Sequence, residues 1–387
     1  MRRIQTAVVI ATLAVAGLGV TPALAATTRW VNDNLGPNVG LTPGSSCADP
    51  GYLTINSAVA ASAAGDTIRV CNGNYPEVLV TIPHQLTLKG AKAGTPFPGR
   101  SFGAASESTV TGQFIVNAPN VTIDGFSITN PASISNPTDN AITIKTPGDN
   151  ALIVNNILDT VAGLALTAPT TGIYLENGPD RVRIIGNSIS RVLSGTYSAQ
   201  GILIGDSKAN NPSVGILVSL NLIQHITSNG RGAYGVQVNN GAGVGTGYTT
   251  AAVLANKIDD LNGGGWAHAI GLEGDTPNTV VSGNAISNLV SATPNRVAVV
   301  LETNPSAGTV HINYNNFNVT SSAYGIAVFT PYAGPDVDGQ CNWWDASNGP
   351  GLVGPGSGAH VTNQVDFSPW LTSAAPRGRC GGGHHDH

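Results

Sequence analysis

The sequence predicts an all-β chain wound as a right-handed parallel β-helix, a solenoid of about nine coils with a short N-terminal capping helix. Three observations point there. An eight-residue pattern, apolar-x-apolar-x-x-Asn-x-apolar, recurs at residues 151–158, 182–189, 216–223, 251–258, 279–286 and 310–317. Its asparagines, Asn156, Asn187, Asn221, Asn256, Asn284 and Asn315, are 31, 34, 35, 28 and 31 residues apart. A period of that size with strand-like alternation is the mark of stacked coils. A second short strand lies between the copies, as in Ile142-Thr-Ile144, Ile173-Tyr-Leu175, Ile202-Leu-Ile204, Val236-Gln-Val238, Ile270-Gly-Leu272, Val299-Val-Leu301 and Ile326-Ala-Val328. Its first and third residues face the core and its middle residue faces out. The composition agrees, with 49 glycines, one methionine and only 10% charged residues. Coils stacked in one direction pair their strands in parallel, and such connections are right-handed.

The elements follow in chain order. Residues 1–25 read as a secretory signal: Arg2 and Arg3, an apolar run from Ala7 to Val20, then Ala23-Leu24-Ala25. Its removal takes away two arginines and no acid, so the mature chain is more acidic than the full chain's net charge of −5. That balance argues against nucleic acid as a partner. No later stretch is apolar for long enough to span a membrane. The predicted locale is therefore extracellular, and the predicted state a monomer. Residues 26–66 form an N-terminal cap: an irregular stretch to residue 53, then a helix from Ile55 to Ala64, started by Thr54 and stopped by Gly65. The β-helix proper spans 67–340, a closing rung and cap span 341–380, and 381–387 is a His-rich tail.

Four cysteines lie in two pairs near the ends of the mature chain. In an exported protein an even count favours disulfides. A rigid stack holds its ends apart, which predicts Cys47–Cys71 and Cys341–Cys380 over the other two connectivities.

Two ends of the chain also carry a resemblance. Thr54-Ile-Asn-Ser-Ala-Val59 with Gly65-Asp-Thr-Ile-Arg-Val70 and Tyr75-Pro-Glu77 is similar to the opening of pectin-lyase-like β-helix proteins. Cys341-Asn-Trp-Trp-Asp-Ala-Ser-Asn-Gly-Pro350 with Val365-Asp-Phe-Ser-Pro-Trp-Leu371 resembles the terminal rung of bacterial β-helix repeat proteins, which have Gly where Asp345 stands. The resemblance implies a secreted β-helix of that superfamily. It does not choose among lyase, hydrolase, esterase and scaffold. The Gly-His-Gly and Arg-Ile-Lys signatures of polygalacturonases are absent, as are those of pectin methylesterases and many pectate lyases.

Two columns of residues are candidates for function. The asparagines are read as an internal ladder, since Asn tolerates the left-handed conformation of a tight turn and its amide both donates and accepts. Just past the second repeated strand, one register reads Lys145, Glu176, Gly205, Asn239, Glu273, Glu302, Phe329, with Asp206 and Asp275 beyond. In a chain this poor in charge, stacked acids suggest raised pKa values or a bound cation. The candidate catalytic residues are Glu176, Asp206, Glu273, Glu302 and, by the lyase resemblance, Lys145 as a base. Asp206, Glu273 and Asp275 are the candidate Ca²⁺ ligands, Ca²⁺ being the one cofactor suggested. Tyr174, Tyr234, Trp266 and His268 lie beside the ridge, where flat rings suit the faces of sugars. The expected function is binding, with a capacity for cleavage, of an extracellular polysaccharide by a lyase or hydrolase mechanism. The alternatives are a solvated acidic ridge and a non-catalytic surface or matrix adhesion protein. Trp343-Trp344 is read as sealing the closing rung.

Overall fold

The computed structural model describes residues 25–34, 43–131, 139–163, 169–205, 211–240, 247–302, 309–329 and 336–381. The signal-like segment up to residue 24, Asp206 and the tail beyond residue 381 lie outside the described residues.

Three parallel sheets run the length of the molecule, with twelve, nine and eleven strands among the described residues. A typical coil carries one strand of each. Leu152–Val154 belongs to the first sheet, Ile157–Gly163 to the second and Thr170–Glu176 to the third. Neighbours within these sheets are one coil away, except Pro350–Leu352 and Gly358–Val361 at the closing end, and all the strand pairings are parallel; the antiparallel strand pair Gly44–Ser46 with Asp49–Pro50 stands apart at the N-terminal end. The chain is thus an all-β parallel solenoid.

Identical registers stack aliphatic side chains through the interior. Ile153, Ile184, Val218, Val253, Val281 and Ile312 form one column on the first sheet. Leu158, Ile189, Ile223, Ile258, Ile286 and Phe317 form the second-sheet column. Ile173, Ile202, Val236, Ile270, Val299 and Ile326 complete the triangle. All are fully buried, each contributing about 1.5–3 kcal/mol by leaving water. A position within the third strand needs glycine for close approach. A Cβ on Gly201 would stand 2.6 Å from the Gly235 carbonyl oxygen and 2.6 Å from Cγ2 of Ile223.

The asparagine ladder is present. Each backbone N–H and each Nδ2 donates to Oδ1 of the asparagine one coil on, from Asn156 through Asn342, at 2.9 to 3.1 Å. Nδ2 also donates to a backbone carbonyl of the preceding coil, as from Asn221 to Ile184 at 2.9 Å. The column is buried throughout. One detail of the expectation is corrected. The left-handed residue is not the ladder asparagine but the one before it: Asn155, Gly186, Leu220, Ala255, Gly283, Tyr314 and Cys341 all have positive φ. The ladder amide must point inward to reach the next coil, so the turn is made one residue earlier.

Both ends are closed. The capping helix is shorter than expected, Ile55–Ala60, with Thr54 as its N-cap and Ile55, Ala58 and Val59 buried. Asp66 accepts the Ala63 N–H at 2.9 Å, which commits that residue to the following turn instead of the helix. The stretch expected to be irregular contains Thr28–Val31, the first strand of the first sheet, paired with Thr67–Val70. At the far end Trp344 is fully buried against Phe317, ring centroids 5.2 Å apart. Both expected disulfides, Cys47–Cys71 and Cys341–Cys380, are formed. No helix among the described residues is long and apolar enough to cross a membrane.

Candidate functional site

Third-sheet strands end on an apolar pair, and the residue after that pair lies on the outer face. This is where the charged register falls. Lys145 is opposite Glu176, and Asn239 is opposite Glu273. The Glu302 N–H donates to the Leu272 carbonyl at 2.9 Å, which sets Glu302 one coil beyond Glu273. The ridge is not continuous. Lys145 and Glu176 form a surface ion pair at 3.2 Å, with side chains 39% and 28% exposed. Such a pair is worth about 1 kcal/mol or less. Three coils, roughly 14 Å at the spacing of paired strands, separate Glu176 from Glu273.

Glu273 and Glu302 are the centre of a second, denser group. Oε2 of Glu273 accepts from Gln237 Nε2 at 2.7 Å and from Asn239 Nδ2 at 2.9 Å. Gln237 accepts in turn from Gln200, whose Oε1 accepts from Thr171 at 3.1 Å. A file of donors therefore ends on one carboxylate. Burial, and then the neighbouring Glu302, push the Glu273 carboxyl above its usual range, against the bond from Gln237. Glu302 receives the Tyr234 hydroxyl across two coils, at 3.3 and 3.4 Å. His268 Nδ1 stands 2.7 Å from Glu302 Oε1. That contact is close but not aligned as a hydrogen bond, so it acts as a charge contact when the imidazole is protonated. The other ring nitrogen meets Asn295 Oδ1 at 3.0 Å.

The aromatic rings gather here as well. Tyr234 meets His268 edge-on at 5.4 Å and Trp266 at 6.4 Å, and Trp266 lies 6.2 Å from His268. Burial, then Glu302 and Glu273, hold the Tyr234 hydroxyl in its neutral form well past its usual range. Tyr234 and His268 are nearly fully buried, whereas Trp266 and Tyr174 are half-exposed. The Glu302 side chain keeps 23% exposure, so the group opens to solvent there. The indole N–H of Trp266 is buried with no hydrogen-bond partner.

Of the residues proposed from sequence, Tyr234, Trp266, His268, Glu273 and Glu302 come together. Lys145 and Glu176 pair with each other elsewhere on the sheet. Tyr174 is two residues before Glu176 on the same strand, opposite Thr143 and Leu203. Asp275, two residues past Glu273, gives its carbonyl to the Thr249 N–H at 3.0 Å. Asp206 lies outside the described residues. Among the described residues no three His, Cys, Asp or Glu side chains converge as a metal shell requires; Asp206, the third of the proposed Ca²⁺ ligands, is not among them. Sequence reading missed Gln200, Gln237 and Asn295. The signal for Gln200 and Gln237 was present as polar residues on successive third strands, while Asn295 immediately precedes the strand Arg296–Leu301. The outer face also holds a small apolar layer of Val297, Val300 and Ala327 against Tyr324, where outward residues were expected to meet solvent.

No family model matches the chain, and no curated protein matches it. Among solved structures, the crystal structure of pectate lyase Pel9A is similar over 89% of this chain and 80% of that one, with 13% identity and a TM-score of 0.40. At that level the likeness concerns the course of the backbone and nothing of the side chains.

Proposed function

We propose that this is a secreted polysaccharide-binding protein that hydrolyses a neutral glycan at Glu273 and Glu302. One observation carries the reading. Two carboxylates stand on successive coils in unlike surroundings, and burial, then Glu302, raises the Glu273 carboxyl above its usual range. Glycoside hydrolysis needs such a pair, one carboxyl to protonate the leaving oxygen and one carboxylate to attack or to activate water. Glu273 is assigned as the acid. Glu302, which opens to solvent and stands beside His268, is assigned as the base or nucleophile. Tyr234 and His268 position Glu302, while Trp266 offers a ring to the sugar. β-Elimination has less support, because Lys145 is bound to Glu176 three coils away. The signal-like residues 1–25 and the two disulfides support export.

The test is a glycan panel assayed with Ca²⁺ and with chelator, scoring reducing ends and unsaturated products separately. Reducing ends that disappear in Glu273→Gln and in Glu302→Gln, with chelator-insensitive rates, are the expected result. Unsaturated products instead would overturn the hydrolytic assignment. A second reading, a non-catalytic adhesion protein, draws on the mutual hydrogen bonds that occupy Gln200, Gln237 and Asn239. It expects glycan binding with no product from any member of the panel.

A further inference from the structure

The second sheet carries a groove of its own, on a different face from Glu273 and Glu302. It encloses about 390 Å³ and is walled on one side by the arm of residues 97–102. Its floor is two short columns in register across three coils: Ile157, Ser188 and Leu222, and beside them Asp159, Ser190 and Gln224. The floor spans roughly 10 Å along the axis.

The wall is fixed in place. Arg100 forms a buried two-pronged pair with Glu107, at 3.0 and 2.6 Å, with side chains 4% and 1% exposed. The same guanidinium reaches the carbonyls of Thr95, Phe126 and Asn155. It therefore staples the arm to two successive coils. The arm holds Phe97 and Phe102, both half-buried, at the edge of the groove.

Each guanidinium in the groove has a carboxylate partner. Arg100 is matched by Glu107 and Arg191 by Asp159 at 2.5 Å, and His225 Nδ1 contacts Asp260. Hydrogen-bonding capacity is not used up. The side chains of Ser188, Ser190 and Gln224 make no hydrogen bond among the described residues, and the Asp159 contacts fall on Oδ1 alone. The lining thus offers free donors, free acceptors and two aromatic rings, and leaves no guanidinium without a carboxylate.

We propose that this groove binds a neutral oligosaccharide laid along the solenoid axis. Such a chain presents hydroxyls that both donate and accept, and C–H faces that pack on aromatic rings. An anionic sugar would find no unpaired cation, and a purely apolar ligand would strand the serines and Gln224. The site stands independently of the third-sheet centre.

The experiment is calorimetry with cello-, manno-, xylo- and galacto-hexaose, and with hexagalacturonate as the charged counterpart. It is run in the Glu302→Gln background, so that hydrolysis elsewhere cannot consume the probe. At least one neutral hexaose should bind, and Phe97→Ala and Gln224→Ala should each weaken it roughly fivefold to tenfold. Gln224 is half-exposed, so its variant keeps the fold, and an unchanged thermal midpoint checks this. The proposal is overturned if no neutral hexaose binds at millimolar concentration, if binding ignores both substitutions, or if hexagalacturonate competes equally. Turnover reports on Glu273 and Glu302 and groove affinity reports on Phe97 and Gln224, so the two readings fail separately.

Discussion

At the scale of the residue, the ladder shows how much one side chain can hold. Asn221 accepts two bonds from Asn187 and donates to Asn256 and Ile184, all buried. Asn221→Ala strands donors and acceptors in two neighbouring coils. Each orphan costs about 1–3 kcal/mol, so the variant should lose several kcal/mol in a denaturant titration. A midpoint equal to wild type would remove the ladder's role in stability. Glu273 gives a pH test with a definite sign. Its folded pKa is raised, chiefly by burial and then by Glu302. Its contribution to stability is therefore complete below the unfolded value of about 4.3 and is lost as pH rises through the folded value. Glu273→Gln should stabilise the protein relative to wild type increasingly as the pH is raised from acid to neutral. Thermal midpoints across that range measure it, and parallel curves for the two proteins would contradict the assignment.

At the scale of the element, strand patterns were legible where alternation is unbroken. The first-sheet and third-sheet strands read directly, because their inward residues are two apart. Second-sheet strands escaped that test. Thr160, Arg191, His225, Asp260 and Asn288 adopt positive φ within them, so the inward pair, such as Leu158 and Val161, is three apart. The same displaced column carries Arg191 and His225 into the second-sheet groove, which is why that groove has no signature in the repeat. The Arg100 arm is likewise invisible, since nothing in residues 91–107 recurs. The register of Glu176, Gly205, Asn239, Glu273 and Glu302 was legible in the sequence, but the pairing of Lys145 with Glu176 and the hydrogen bonds that gather on Glu273 needed the side chains in place. In the N-terminal cap one carboxylate ties the end of the helix to the first strand. Asp66 is covered by its neighbours although it lies at the end of the stack. Burial raises its pKa, but the N–H groups of Ala63 and Thr27 and the side chain of Arg29 outweigh that and lower it. Its contribution is present above the unfolded value of about 3.9 and is lost as pH falls through the folded one. Asp66→Asn should match wild type most closely in strong acid and fall behind it near neutrality. A midpoint difference that does not vary with pH would count against this.

At the scale of the whole molecule, stability is close to a sum of like coils and the contacts between neighbours. The ladder sets the boundary of each term. Removing residues 222–256, the 35-residue interval from one ladder asparagine to the next, joins Asn221 to Lys257, which already occupies the register of Leu222. The shortened chain should fold with a native β spectrum and one cooperative transition, although it loses Tyr234 and the floor of the groove at Gln224. A deletion one residue shorter turns every following second-sheet side chain to the wrong face, and should be insoluble. Equal behaviour of the two would show that register is not held at the asparagines.

The ladder also has a bearing on inheritance. Because each asparagine bonds only to the coils on either side of it, the chain between two of them can be copied or dropped as a block, whatever its length. Recombination between ladder codons, or between any two residues of matching register, leaves the flanking partners in place, while a break out of register must be repaired by selection. The protein's length is therefore free to drift in whole coils and is nearly fixed in single residues, except in the loops that follow the third strand. That is the pattern of its unequal intervals.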